Sequence, residues 1–251
     1  GAVGALAAAA SLQFALLVNA LTFVVSLACL VGTRPAARPR PAAGETTAAD
    51  LSRSLLDGFR YLGSTRPLLV LTVLQMIVNF GLASEKLLVF FATETLSMSP
   101  SAVGVIVSAG GLGGIAGALT AARIARRFRP TAVVAAGIAV ASGAAVAMGG
   151  AGSFAALFVA NLVYLWAVVV ASLVNRTVRQ LLTRRDMLGR ATGTGRLLFR
   201  SVDPLGVLAM GGLTVAMHGD PRAAFVAGGL LACLATAVAW FGYFSTNCRE
   251  Y

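Results

Sequence analysis

Several polar and charged side chains of this chain stand inside long apolar stretches. In the stretch 67–92, Gln75, Asn79 and Lys86 share one helical face at about 100° per residue, with Glu85 to one side. If this stretch crosses a bilayer, a charge at its centre costs about 2.5–3.5 kcal/mol. The pattern predicts a polar cavity or a partner helix, where Glu85 could carry a proton or contact a cationic substrate. A second interpretation stays open: Glu85 lies near the outer surface, and Lys86 extends its stem to the headgroups.

A later apolar stretch carries a second polar stripe. Asn161, Tyr164, Ser172 and Asn175 fall on one narrow helical face, and Arg179 continues it. One interpretation is that this face lines the same cavity as the first stripe. The other is that these side chains make hydrogen bonds between packed helices.

Two further groups of charged residues are candidates for ion pairs or gates. Arg200 and Asp203 stand three residues apart at the predicted start of a helix, a spacing that allows a local pair. A structural or gating pair is favoured over a proton site, because the arginine stays charged. Arg123 and Arg127 belong to a basic cluster between two apolar stretches, and the simplest interpretation is an anchor that sets orientation.

Residues suited to catalysis or metal binding are sparse. His218 stands alone in a short polar segment, without an HExxH or a Ser/His/Asp arrangement. Cys29, Cys233 and Cys248 form no CxxC pair, and two of them lie in apolar runs. The sequence therefore predicts no enzyme, no metal site and no cofactor.

Composition indicates a membrane protein. Hydrophobic residues make up 58% of the 251 positions and charged residues only 12%, against about 25% charged in a typical globular protein. Too few polar side chains remain to cover a surface that faces water. The net charge of +11 would suggest nucleic acid in a soluble protein, but the arginines lie between the apolar runs, as in basic cytoplasmic loops. No nucleic-acid partner is predicted.

About seven apolar stretches are long enough to cross a bilayer as helices, at roughly 20 residues each. The sequence therefore predicts an all-α polytopic transmembrane bundle. The first span ends near Val31, and the residues before it could be the tail of a preceding helix. The others are approximately 67–92, 102–122, 131–150, 153–174, 197–217 and 222–244.

A polar linker separates the first span from the rest, which gives three predicted regions: 1–32, 33–66 and 67–251. The linker is rich in Pro, Ala and Arg as far as Ala49. It leads into an amphipathic helix with Leu51, Leu55, Phe59 and Leu62 on one face, expected to lie along the membrane interface.

Arginine placement predicts the orientation. Alternate gaps carry the basic residues: Arg34, Arg38, Arg40, Arg53, Arg60 and Arg66; Arg123, Arg126, Arg127 and Arg129; Arg176, Arg179, Arg184, Arg185 and Arg190; and Arg249 in the tail. Basic loops stay cytoplasmic. We therefore expect the linker, the two arginine-rich loops and the C-terminus on the cytoplasmic side of the cell membrane. The chain opens at Gly1 without a basic region, so we expect no signal peptide but the interior of a longer protein.

The glycine-rich run from Gly110 to Gly117 could suggest a phosphate-binding loop. It lies within an apolar span with no strand before it, so that context is missing. Small residues four apart, at 110/114 and 113/117, instead let two helix backbones approach closely. Helix packing is the predicted role.

Four segments carry a family likeness. They are LVNALTFVVSLACL, with Asn19, Ala20, Thr22 and Phe23; LLDGFRYLGSTRPLL; VGVIVSAGGLGGIAGALTAARIARRFRP; and GRATGTGRLLFRSVDPLGVLAMGG, with Gly189, Arg190, Pro204, Leu205, Gly206 and Gly212. In this order they resemble the sixth helix, the entry to the seventh, the eighth helix with its basic loop, and the eleventh helix of the bacterial drug- and siderophore-exporter branch of the major facilitator superfamily. The chain departs from that branch at Arg184-Arg185-Asp186, where members often carry a proline, and the counterparts of helices one to five are not in it.

The resemblance implies the last helix of one six-helix half and the whole second half of a secondary transporter. Such a protein exports small hydrophobic or amphipathic molecules by alternating access. Its expected partners are a small-molecule substrate, the lipid bilayer and protons. It would also need the other half or a second copy to rock against. The alternative hypothesis is a membrane scaffold or receptor that transports nothing.

Overall fold

The structure, a computed structural model, describes residues 12–32 and 48–244. The predicted tail of a preceding helix, the linker up to residue 47, Cys248 and Arg249 lie outside the described residues. Within them the chain folds into eight helices: α1 Leu12–Gly32, α2 Ala48–Ser64, α3 Arg66–Gly81, α4 Pro100–Arg127, α5 Pro130–Gly149, α6 Phe154–Leu182, α7 Leu188–Ala216 and α8 Arg222–Ala239. Helix α3 continues through a 3₁₀ segment (Leu82–Leu87), a short α-helical segment (Leu88–Phe90) and a π-helical turn (Phe91–Thr95), and α8 ends in a π-helical turn (Trp240–Phe244).

With these continuations, six helices are long and apolar enough to span a bilayer: Arg66–Thr95, α4, α5, α6, α7 and Arg222–Phe244. Helix α1 is a further apolar helix of 21 residues. The predicted all-α polytopic bundle of about seven spans is confirmed, and the chain is a multi-pass helical membrane protein.

The helix starts follow from local sequence. Proline stands in the first turn of α3, α4 and α5, where its missing N–H costs no hydrogen bond. Ser99 and Ser153 cap α4 and α6 by accepting hydrogen bonds from the amides of Ala102 (3.4 Å) and Ala156 (3.3 Å). Short connections at these sites make neighbouring helices antiparallel. The end of the bundle that holds α2 and the loops after α4 and α6 is called the basic end below.

Glycines on α4 form a close seam with α6, which confirms their predicted packing role. A Cβ added at Gly117 would stand 2.7 Å from the carbonyl oxygen of Trp166, and one at Gly110 would stand 2.7 Å from Nδ2 of Asn161. Gly113 faces the backbone of Leu162 in the same way. The two helices can pack this closely only because side chains are absent at these positions.

Helix α3 departs from the regular α-helix that the sequence predicted. At its midpoint a Cβ on Gly81 would stand 2.5 Å from the carbonyl oxygen of Gly228 on α8. A Cβ on Gly206 of α7 would stand 2.7 Å from that of Phe80. The 3₁₀ segment begins directly after this crossing and advances about 120° per residue instead of 100°. The angles of Glu85 and Lys86 relative to the stripe before them therefore differ from those of a regular α-helix.

Helix α7 begins nine residues earlier than the predicted span, at Leu188 instead of 197. Arg200 and Asp203 thus lie near the middle of this helix and not at its start, which corrects their predicted position. The polar residues at 188–196 hid the helix from a search for apolar stretches.

Helix α2 packs against the first turns of α7. Leu62 is buried, and Gly58 touches Thr194 so closely that a Cβ would overlap its hydroxyl. Asp57 pairs with Arg190 at 3.1 Å. Phe59 is exposed, whereas Leu62 and Gly58 make the contact with α7.

Helix α1 is exposed on nearly every side. Phe14, Leu17, Phe23 and Leu30 expose between 48% and 70% of their surface, and only Val18 of the described side chains is partly covered. Such an apolar surface suits lipid or another helix.

Candidate functional site: a polar cavity inside the bundle

A cavity of about 620 Å³ lies between α3, α6 and α7. Its lining runs from Leu62 and Thr183 at the basic end to Tyr164 and Asp203 near the middle of the bundle. Helix α5 closes one wall with apolar side chains. The volume falls within the range of sites for small organic molecules, about 300–1,000 Å³.

A chain of side-chain amides joins the three helices across the cavity. Nδ2 of Asn175 donates to Oε1 of Gln75 (2.9 Å), and Nε2 of Gln75 donates to Oδ1 of Asn79 (2.7 Å). Nδ2 of Asn79 then donates to the backbone carbonyl of Phe199 on α7 (3.2 Å). The structure thus brings the two polar stripes together through Gln75 and Asn175. Hydrogen bonds of this kind in a membrane contribute about 0.6–2 kcal/mol each.

An ionic cluster lies at the end of the cavity near the middle of the bundle, which is called the inner end below. Nζ of Lys86 stands 3.5 Å from Oδ2 of Asp203, and Nη1 of Arg200 stands 3.8 Å from the same oxygen. Asp203 exposes only 21% of its side chain, so its charge is balanced mainly by these two cations. Glu85, which is partly buried, lines the cavity beside them. Lys86 therefore turns toward α7, which disfavours the interpretation that it only extends toward the headgroups.

Tyr164 closes the inner end of the cavity. Its side chain is buried, and its hydroxyl donates to the carbonyl of Leu82 at 3.3 Å. Leu82 is the first residue of the 3₁₀ segment. Tyr164 thereby fixes α6 to the point where α3 changes its winding.

Arg179 occupies the part of the cavity closer to the basic end. Its Nη2 donates to Oγ1 of Thr72 at 2.8 Å, and its guanidinium lies over the ring of Phe199, 5.7 Å from the centroid. Nη1 is buried and has no hydrogen-bond partner among the described residues. The continuation of the stripe from Asn175 was the sequence signal for this residue, but it was not among the predicted site residues.

The predicted site residues separate into two groups. Six of the seven substrate-path candidates line the cavity: Gln75, Asn79, Glu85, Lys86, Tyr164 and Asn175, and so do Arg200 and Asp203. Asn161 does not. It is 2% exposed and donates to the carbonyl of Ile106 on α4 (2.8 Å), because the glycine seam brings that backbone within reach.

The other gating candidates lie away from the cavity. Arg123 and Arg127 are exposed near the end of α4, outside the lining. The cavity also includes Arg176 and Arg196, which were not among the predicted site residues. Both arginines lie within helices, near the end of α6 and the start of α7. The apolar pattern did not predict where α6 ends or where α7 begins.

The side chains of the lining offer both polar and apolar contacts to a molecule in the cavity. Amides, a phenol and fixed charges can orient a polar group, while α5 offers an apolar wall to the rest of a molecule. In the described part of the chain, no three His, Cys, Asp or Glu side chains lie together as metal ligands would.

Comparison with known proteins adds no assignment: the chain matches no protein-family model, no curated protein and no solved structure.

Proposed function

We propose that this chain forms part of a secondary active transporter that exports small hydrophobic or amphipathic molecules across the cytoplasmic membrane. The observation that supports this is the polar cavity between α3, α6 and α7. Buried charges and amides within a membrane are costly, and they commonly mark the path of a substrate or ion. The arginine-rich segments at the basic end support a cytoplasmic location for that end under the positive-inside rule.

The proposal includes alternating access between two halves, as in the major facilitator superfamily that the sequence resembles. Helix α1 favours the presence of a second half, because the described bundle leaves most of its apolar side chains exposed. In this proposal the C-terminus faces the cytoplasm, and the bundle rocks against a second half around the cavity.

Efflux from cells tests the proposed function. The protein is expressed from its complete coding sequence in a bacterial host that lacks its own multidrug pumps. Cells are loaded with ethidium, Nile red or pyrenebutyrate, which are a cationic, a neutral and an anionic fluorescent amphiphile. Energised cells that carry the protein should lose at least one of them faster than cells with an empty vector. Equal retention of all three would instead favour a scaffold or receptor.

Proton coupling is assigned in this proposal to Glu85, the cavity carboxylate that makes no ion pair within 4.0 Å among the described residues. Lys86 and Asp203, which line the same end, pair with each other. A glutamine at position 85 keeps the shape but cannot take up a proton. Glu85→Gln should therefore reduce efflux at least about tenfold, as expected when a proton carrier is lost, and flatten its pH dependence.

Glu94→Gln is the matched control for this variant. Glu94 lies further along the same helical span, exposed and outside the cavity lining. Its removal should leave the rate and its pH profile unchanged. If Glu85→Gln also leaves both unchanged, Glu85 is no coupling site.

A further inference from the structure

The charges of the cavity are strongly unequal. Five basic side chains line it, from Lys86, Arg176, Arg179, Arg196 and Arg200, against two acidic ones. One of the acidic groups, Asp203, already lies between two of the cations. The lining thus holds more positive charge than its own carboxylates balance.

Arg179 is the cation that most needs an anion. The guanidinium lies partly buried in the cavity, in the last turn of α6, yet no carboxylate lies within 4.0 Å of it among the described residues. Its recorded partners are a hydroxyl on Thr72 and the face of Phe199. A partly buried charge that lacks a counter-ion is costly, and the buried Nη1 of Arg179 is a donor without an acceptor among the described residues.

The surroundings of Arg179 also hold the guanidinium in place. Gly195 on α7 leaves the room that it occupies, since a Cβ there would stand 2.7 Å from Nη2. Thr72 on α3 and Phe199 on α7 fix the group from two other directions. A planar donor held by fixed neighbours suits a carboxylate, sulfonate or phosphate oxygen.

We propose that the cavity selects amphipathic organic anions, whose acidic group binds Arg179 while the apolar body lies against Val134, Ile138 and Ala141 of α5. This names the substrate class of the proposed transporter and therefore rests on that function. It differs from the sequence-based expectation of a cationic substrate at Glu85, because the basic side chains of the lining outnumber the acidic ones.

Equilibrium binding to the purified complete protein tests this selectivity without any transport. The protein is placed in phosphatidylcholine nanodiscs and titrated with pyrenebutyrate, 1-pyrenebutanol and 1-pyrenebutylamine, which share one apolar body and differ in charge. Empty nanodiscs measure the partition into lipid. Pyrenebutyrate should bind at least about tenfold more tightly than the alcohol, as expected for a charge-assisted hydrogen bond. The amine should bind most weakly.

Two pairs of variants locate the anion. Arg179→Gln should lose about tenfold in affinity for pyrenebutyrate, while the control Arg126→Gln, which removes an exposed charge outside the cavity, should not. Gly195→Ala keeps every charge but displaces the guanidinium, so it should also weaken binding. Gly193→Ala is its control, because a Cβ there meets nothing within 4 Å. Size-exclusion profiles and melting curves show which variants stay folded.

Three results would overturn the proposal. The first is equal affinity for the three probes or a preference for the amine, which rejects the substrate class while leaving transport to the efflux assay. The second is an equal effect of each variant and its control. The third is displacement of pyrenebutyrate by phosphatidylglycerol added to the nanodiscs, which would make the anion at Arg179 a lipid headgroup.

Discussion

Gly113 tests the packing of α4 on α6, the seam that supports one wall of the site. A Cβ at this position would stand 3.0 Å from the carbonyl carbon and 3.2 Å from the Cα of Leu162, with the carbonyl oxygen closer still. All three atoms are backbone and cannot rotate away. Overpacking of this kind costs about 1–3 kcal/mol. The higher helix propensity of alanine returns about 1 kcal/mol, so Gly113→Ala should be destabilised by about 0–2 kcal/mol.

Gly111→Ala is the matched control on the same helix. A Cβ there meets nothing within 4 Å, so alanine should leave the stability unchanged or raise it by up to about 1 kcal/mol. The two variants should thus differ by about 1–3 kcal/mol, which is the overpacking cost alone.

The assay is equilibrium unfolding in mixed micelles with increasing dodecyl sulfate. Trp166 reports on the seam, since its Nε1 donates to Oγ1 of Thr120 on α4 at 3.1 Å. The second tryptophan, Trp240, is replaced by phenylalanine so that the fluorescence comes from the seam. If Gly113→Ala is as stable as Gly111→Ala, the two helices do not approach as closely as the structure shows.

Two other predictions concern topology and the ionic cluster. Single cysteines at Ser99 and Arg127, in a background without native cysteine, should react with an impermeant thiol reagent from opposite sides of the membrane; reaction from the same side would contradict the arrangement of the spans. Asp203→Asn should lower the free energy of unfolding about 1–3 kcal/mol more than Lys86→Met does, a difference between the costs of losing exposed and buried pairs. The reason is that Asp203→Asn leaves Lys86 without its partner, whereas Lys86→Met leaves Asp203 paired with Arg200. Equal losses in the same unfolding assay would show that the pair with Lys86 does not matter.

The helical bundle could be predicted from the sequence because the thickness of a bilayer sets the length of each apolar stretch and of the helix that it forms. The apolar pattern located six spans to within a few residues at most ends. It failed at α7, because the first turns of this helix contain Gly189, Arg190 and Arg196 and form no hydrophobic run. It also failed at the end of α6, which carries Arg176 and Arg179 onward to Leu182.

The composition of the site was only partly readable for a geometric reason. Gln75, Asn79 and Asn175 were accessible to a helical wheel, since their helices are regular there. Beyond Gly81 the helical wheel does not apply, because α3 continues there as a 3₁₀ segment. This change follows the close contacts of α3 with α7 and α8 at Phe80 and Gly81, and the sequence of α3 alone does not reveal those contacts. Asn161 shares the stripe of its helix, but the glycine seam of α4 provides a nearer acceptor than the cavity does.

Access of water to the cavity from both sides of the membrane is the most direct test of a transport role. Ser172, which lines the cavity, is replaced by cysteine in the complete protein after the native cysteines are removed, with Leu173→Cys as a control outside the lining. An impermeant methanethiosulfonate is applied to right-side-out and to inside-out vesicles, with and without a proton gradient. The proposed function predicts reaction at position 172 from either side, a balance that shifts with the gradient, and little reaction at 173. Reaction from one side alone under every condition, or equal reaction at both positions, would contradict it.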